Sequence, residues 1–221
     1  MIKVELETED GIKISGDYYE GSKSDSPAVI LLHMMPATKE SWRGLAPILT
    51  EQGFQVLAID ERGHGQSTMG GSLDFRNFSG AQQQAKMLDV VAAREFFLEK
   101  GVVFENIFIG GASIGANLAI QYLAENPKAK AGFALSPGYN YYGIQTLPFM
   151  ERLSGDQSVF LAASQNDPNV SDSYKAVEEL ANIGMSKKEV KIFETGGHGT
   201  NIFEEHPDLM DELAEWLAVK I

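Results

Sequence analysis

Short apolar runs alternate along this chain with stretches of helical spacing, and that alternation restricts the folds open to it. The runs at 28–32, 54–59, 106–109, 131–135, 158–163 and 190–193 are predominantly apolar. Runs of that length and texture read as strands buried on both faces, as in a parallel sheet. Between them, Trp42, Leu45 and Leu49 share a helical face, as do Ala85, Leu88, Ala92 and Phe96. Tyr174, Val177 and Ala181 form a third stripe, and Leu209, Leu213, Trp216 and Leu217 a fourth. Thr38, Ser171 and Pro207 occupy positions suited to helix N-termini. Residues 2–7 and 12–16 instead alternate apolar with polar around the turn Asp10-Gly11, which predicts an antiparallel hairpin with one buried face. The expected architecture is a three-layer α/β/α sandwich. Its mostly parallel sheet has about eight strands, with the N-terminal hairpin at one edge.

A chain of 221 residues is long enough for one full-size core, so residues 1–221 are read as a single domain. Residues 136–157 separate two of the apolar runs, with room for one short helix around 147–153 and no large lid. There is no cysteine, which removes disulfides, thiolate metal sites and a thiol nucleophile. The first residues show no basic stretch followed by an apolar run, and no segment is apolar for long enough to span a bilayer. A cytoplasmic location is expected. The net charge of −13 disfavours nucleic acid and anionic membranes as partners. It leaves small neutral or cationic molecules as substrates.

One run carries chemistry. Gly110-Gly111-Ala112-Ser113-Ile114-Gly115 follows an apolar strand and precedes a helical segment, placing a serine between glycines at a strand-to-helix turn. Such a turn holds the hydroxyl proud of the sheet edge beside N–H groups at a helix N-terminus, a geometry suited to acyl transfer. Serine needs a general base, and the base needs an orienting group. In open α/β sheets these lie just after strand ends. His198, flanked by glycines after the run ending at Phe193, is the expected base. His206 reads as a surface or capping residue, His64 as part of a turn, and His33 as a loop-ordering side chain. Asp167, after the run at 158–163, is the expected orienting acid. Asp172 looks like a first-turn helix residue and Asp156 precedes its strand. The oxyanion hole requires two backbone donors. Ile114 is one, and the loop His33-Met34-Met35-Pro36 supplies the other, Met35 by preference and Met34 otherwise.

These residues together resemble the α/β-hydrolase superfamily over essentially the whole chain. The order Ser113, Asp167, His198 is that of the superfamily, and Asp60-Glu61-Arg62-Gly63-His64-Gly65-Gln66-Ser67 resembles its D-x-R-G-H-G-x-S turn. The build is similar to small, lidless esterases of the dienelactone-hydrolase-like and carboxylesterase groups. Two departures stand out: His33 is followed by Met34 where the family has glycine, and no cysteine nucleophile is available. The resemblance implies a serine carboxylic-ester hydrolase working without cofactor or metal, and a site covered only by residues 136–157 is expected to be fairly open and to take small, short-acyl esters. A thioesterase, an aminopeptidase-like amidase or an acyltransferase would use the same three residues, and a ligand-binding receptor could share the scaffold. Met34, Tyr139, Tyr141, Tyr142 and Phe149 are the expected pocket walls.

Overall fold

The computed structural model describes residues 1–168, 170 and 172–221. The apolar run at 28–32 becomes β3 (Ala28–Leu32), with all five residues buried. Ala28, Ile30 and Leu32 pack into one hydrophobic layer and Val29 and Leu31 into the other. That is the period of two expected of a strand covered on both faces. β1 (Ile2–Glu7) and β2 (Lys13–Tyr19) form the antiparallel hairpin. β4 (Gln55–Ile59), β5 (Ile107–Ala112) and β6 (Ala131–Leu135) follow. A two-stranded ribbon of β7 (Asn140–Tyr141) and β8 (Ile144–Gln145) precedes β9 (Ser158–Ser164) and β10 (Lys187–Phe193).

Among the described residues the main sheet has eight strands in the order β1-β2-β4-β3-β5-β6-β9-β10. β1, β2 and β4 pair antiparallel, and every pairing from β4 onward across the sheet is parallel. The C-terminal ends of β3, β4, β5, β6, β9 and β10 therefore share one edge, where right-handed crossovers leave their loops. On one face, α1 (Leu45–Glu51) packs with the last helix around Trp42. α2 (Gly80–Gln84) leads into α3 (Met87–Glu99), which covers the other face with α4 (Ile114–Glu125). α5 (Thr146–Arg152) and α6 (Ser173–Leu180) complete that layer. α7 (Ile202–Glu205) and α8 (Asp208–Ala218) close the layer containing α1.

Several local expectations shift. The buried face of α3 is Asp89, Val90, Ala93 and Phe97, with Ala92 beside them, rather than the stripe Ala85, Leu88, Ala92, Phe96. Asp89 accepts hydrogen bonds from the backbone N–H and Nε of Arg62. Preceding α3, Lys86 is also fully buried and pairs with Glu61 at 2.9 Å. Charges paired across the fold are invisible to a hydropathy period, so the stripe rotates. The run at 190–193 is not buried on both faces, because β10 is the edge strand and half-exposed. β2 extends to Tyr19, since its far half pairs with β4. Thr38 sits before the short turn 39–42, but its hydroxyl donates to Glu40 rather than capping the backbone. Pro207 directly precedes α8, as expected. Ser171 lies outside the described residues.

Candidate active site

The turn between β5 and α4 is built by close approach. A Cβ on Gly111 would stand 2.0 Å from the carbonyl oxygen of Gly115, and one on Gly115 would stand 2.5 Å from that of Leu32. No side chain fits either place. Between them Ser113 adopts φ 56° and ψ −120°, a left-handed conformation that costs a non-glycine residue about 1–3 kcal/mol. Three backbone bonds hold it there: its N–H donates to Leu135 O at 2.9 Å, and its carbonyl accepts from Ala116 N–H at 2.9 Å and Asn117 N–H at 3.1 Å. Ile114 is the first residue of α4, where backbone N–H groups have no intrahelical acceptor.

The other sequence-expected residues arrive from neighbouring strand ends. Asp167 follows β9 and His198 follows β10, and both are nearly buried. His198 Nδ1 donates to Asp167 Oδ2 at 2.5 Å. The same carboxylate accepts from the Ser173 hydroxyl and from Val170 N–H, each at 2.9 Å. Its orientation is thereby fixed, and with it the tautomer of His198, whose Nε2 is left free of the proton. The loop carrying His198 is clamped on both sides. Ser136, at the end of β6, accepts from Gly199 N–H at 2.9 Å. Asn166 accepts from Gly197 N–H at 3.1 Å. A Cβ at Gly199 would touch Ala112 at 3.2 Å, so this loop lies directly against the serine turn. The Ser113 side chain lies toward the phenol of Tyr141.

On the opposite flank, His33 is fully buried. Its Nε2 accepts from Glu61 N–H at 3.1 Å and its Nδ1 faces Met34 O at 3.0 Å, so Nδ1 carries the proton. Burial lowers its pKa, and it orders the loop bearing Met34 and Met35 as a neutral ring. His64 packs edge-on to His33 and stacks on Phe75 at 3.9 Å. Its pKa falls to about 2, chiefly through burial and then through the Lys86 charge beside it. His206 stacks on Phe193 and donates to Thr195 O, Asp172 pairs with Lys175, and Asp156 is exposed in the turn before β9. His198 and Asp167 are thus the pair that meets.

Of the expected pocket residues, Tyr141 reaches Ser113: the serine hydroxyl lies beside its phenol. Tyr139 and Tyr142 are exposed on the ribbon, and Phe149 is half-buried against the α4 layer. Met34 packs into the layer on the α1 side with its sulfur near Gly199, while Met35 packs toward α4. Ser113 retains 8% of its surface. Sequence reasoning missed Ser136, Asn166 and Ser173, which brace Asp167 and the His198 loop. The only signal was position, Ser136 and Asn166 just past strand ends and Ser173 at the start of α6. Among the described residues no group of His, Asp and Glu could hold a metal ion, and no helix is long and apolar enough to cross a membrane.

The eight-stranded sheet, the hairpin and the strained serine after β5 define the α/β-hydrolase fold. A family model described as serine aminopeptidase, S33, matches residues 24–156, and the chain belongs to that family. The matched stretch contains Ser113 and ends before Asp167. Epoxide hydrolase B of Mycobacterium tuberculosis is 32% identical over 143 residues, 62% of this chain and 36% of that protein. A bifunctional esterase/perhydrolase of Acinetobacter calcoaceticus is 29% identical over 56% of this chain and 41% of that protein. The alignments therefore span well under half the length of these curated relatives. Among solved structures, an esterase of Pyrococcus furiosus superposes with TM-score 0.78 at 20% identity, covering 98% of this chain and 91% of that one. Est1E of Butyrivibrio proteoclasticus, solved with ferulic acid, gives 0.79 at 17% identity with 98% of both chains covered. Dienelactone hydrolase of Anabaena variabilis gives 0.76 at 17%, covering 99% and 95%.

Proposed function

We propose that this protein is a serine carboxylic-ester hydrolase in which Ser113 attacks the ester carbonyl. His198 takes the serine proton and returns it to the leaving alcohol, while Asp167 holds the imidazole in the tautomer that can accept it. The N–H groups of Ile114 and Met35 stabilise the oxyanion, with Met34 as the alternative second donor. Water then repeats the sequence on the acyl-enzyme, and no cofactor takes part. The observation that carries this reading is the strained Ser113 at the head of α4 together with the bonded pair His198–Asp167 at the neighbouring strand ends.

The chemistry of serine separates this reading from the activity named for the mycobacterial relative. An epoxide opened by Ser113 would leave an alkyl ether, which activated water does not cleave, whereas an acyl-serine is hydrolysable. Short acyl groups are preferred because only the short 136–157 segment, and no large lid domain, separates β6 from β9. Amide hydrolysis is the second reading, favoured by the description of the family. Thioesters and acyl transfer to an acceptor other than water are further uses of the same residues.

Nitrophenyl esters of graded acyl length, feruloyl esters, acyl-coenzyme A and aminoacyl arylamides rank these substrates directly. Short esters should lead, and negligible ester turnover beside amide turnover would replace the first reading with the second. Ser113→Ala and His198→Ala should each lower kcat by several orders of magnitude, and the double variant by no more than either alone.

A further inference from the structure

The phenol of Tyr141 is held inside the site against the Ser113 hydroxyl. Its Oη is buried, and among the described residues no hydrogen bond of ordinary geometry reaches it. A buried hydroxyl normally finds a full partner, and leaving one without is costly. Trp42 Nε1 and Tyr122 Oη are also unpaired, but they sit in the layers between helix and sheet. Tyr141 differs because the Ser113 hydroxyl lies beside it and the Asp167 charge reaches it. A complement arriving with substrate explains its state.

The ribbon that carries it is anchored. Asn117, in α4, donates to Gly138 O at 3.1 Å and to Ile144 O at 2.9 Å. Its side-chain oxygen accepts from Gly138 N–H at 3.0 Å. The ring then packs on the backbone of Gly138, where a Cβ would lie 2.5 Å from Cζ and 2.8 Å from Oη. The phenol is therefore preorganised rather than loosely placed.

Topology says which substrate atom it meets. β5 lies between β3 and β6. The oxyanion donors stand at the head of α4 and in the loop after β3. Tyr141 extends from β6, on the side from which Asp167 and His198 also come, and Ser136 of that same segment holds the His198 loop. An ester carbon bonded to Ser113 points its oxyanion toward β3 and its leaving oxygen toward His198.

We propose that Tyr141 donates a hydrogen bond to the alkoxy oxygen of the bound ester as it leaves, which fits the site to esters of aliphatic alcohols. This inference rests on the serine-ester reading above. In the step concerned the carbon–alkoxy bond breaks, the proton on His198 passes to the departing oxygen, and Tyr141 keeps its own proton throughout. Burial pushes the phenol up to about 12, so it remains a donor at neutral pH. In deacylation the attacking water occupies the same position and receives the same bond.

An aliphatic alkoxide needs this assistance far more than a nitrophenolate does. The test compares kcat/KM for ethyl butyrate and 4-nitrophenyl butyrate, which share one acyl group. In Tyr141→Phe the ratio of the ethyl to the nitrophenyl value should fall about tenfold, the scale of one lost hydrogen bond. Gly138→Ala displaces the phenol without removing it and should shift the ratio in the same direction, whether or not Tyr141→Phe folds. Equal losses on both esters, or an unchanged ratio, would overturn the assignment. Ester turnover that survives Ser113→Ala would instead overturn the serine reading, independently of any ratio.

Discussion

Gly115→Ala is a one-carbon test of the proposed oxyanion hole. The new Cβ would stand 2.5 Å from Leu32 O and 2.8 Å from His33 O, where ordinary contact begins at 3.4 Å. Both obstacles are main-chain carbonyls, so no side chain can rotate away. The end of β3 and the head of α4 must part by roughly 0.9 Å, enough by itself to misplace reacting groups. Ile114 N–H and Met35 N–H stand on the two sides of that seam, so their spacing opens with it. Helix propensity acts the other way, since alanine favours a helix over glycine by about 1 kcal/mol. That gain cannot close the seam, because steric overlap between backbone atoms rises far more steeply. The variant should remain folded, as judged by circular dichroism, while kcat on a short nitrophenyl ester falls about 100-fold and KM changes much less. A folded Gly115→Ala variant with kcat within about threefold of the parent would refute the reasoning.

Other consequences follow from the buried polar contacts. Asn117→Leu removes the three bonds that tie the ribbon to α4 and leaves Gly138 N–H buried without an acceptor. Urea unfolding should show a loss of about 3 kcal/mol. Lys86→Met strands the Glu61 carboxylate, which is fully buried, and should cost about 3–5 kcal/mol; adding Glu61→Leu should restore most of it in the same assay. Stability should also fall with acid through His64. Its folded value is about 2 against an ordinary 6.5, so below pH 6.5 the unfolded chain takes a proton that the folded chain refuses. The contribution is intact above pH 6.5 and is lost as pH falls, by about 2 kcal/mol between pH 7 and 5. His64→Phe should show a correspondingly shallower slope in denaturant titrations at the two pH values, whatever its absolute stability.

The sheet and the serine turn were legible because each rests on local sequence. Buried parallel strands must be apolar throughout, as Ala28–Leu32 is, and the turn at Ser113 tolerates only glycine on both flanks. Asp167 and His198, which meet in the fold, could be picked out from their place after strands. What escaped were features set by distant partners. Lys86 and Asp89 are charged residues on a buried face because Glu61 and Arg62, far upstream, meet them there. The ribbon at 140–145 has strands of two residues, too short for any alternation to show. Its position depends on Asn117, which in the sequence is one polar residue in an apolar helix. Ser136 likewise acquires its role by accepting from Gly199, 63 residues away. The three tyrosines are alike in sequence, and only the fold separates Tyr141, beside Ser113, from the exposed Tyr139 and Tyr142.

The central claim is that His198 activates Ser113 as a nucleophile. Reaction with a fluorophosphonate, followed by mass spectrometry of the digested protein, tests it most directly. The account predicts a single adduct on the peptide containing Ser113, formed at a rate that collapses in a folded His198→Ala variant. Absence of an adduct in the folded protein, modification elsewhere, or labelling indifferent to His198→Ala would contradict it.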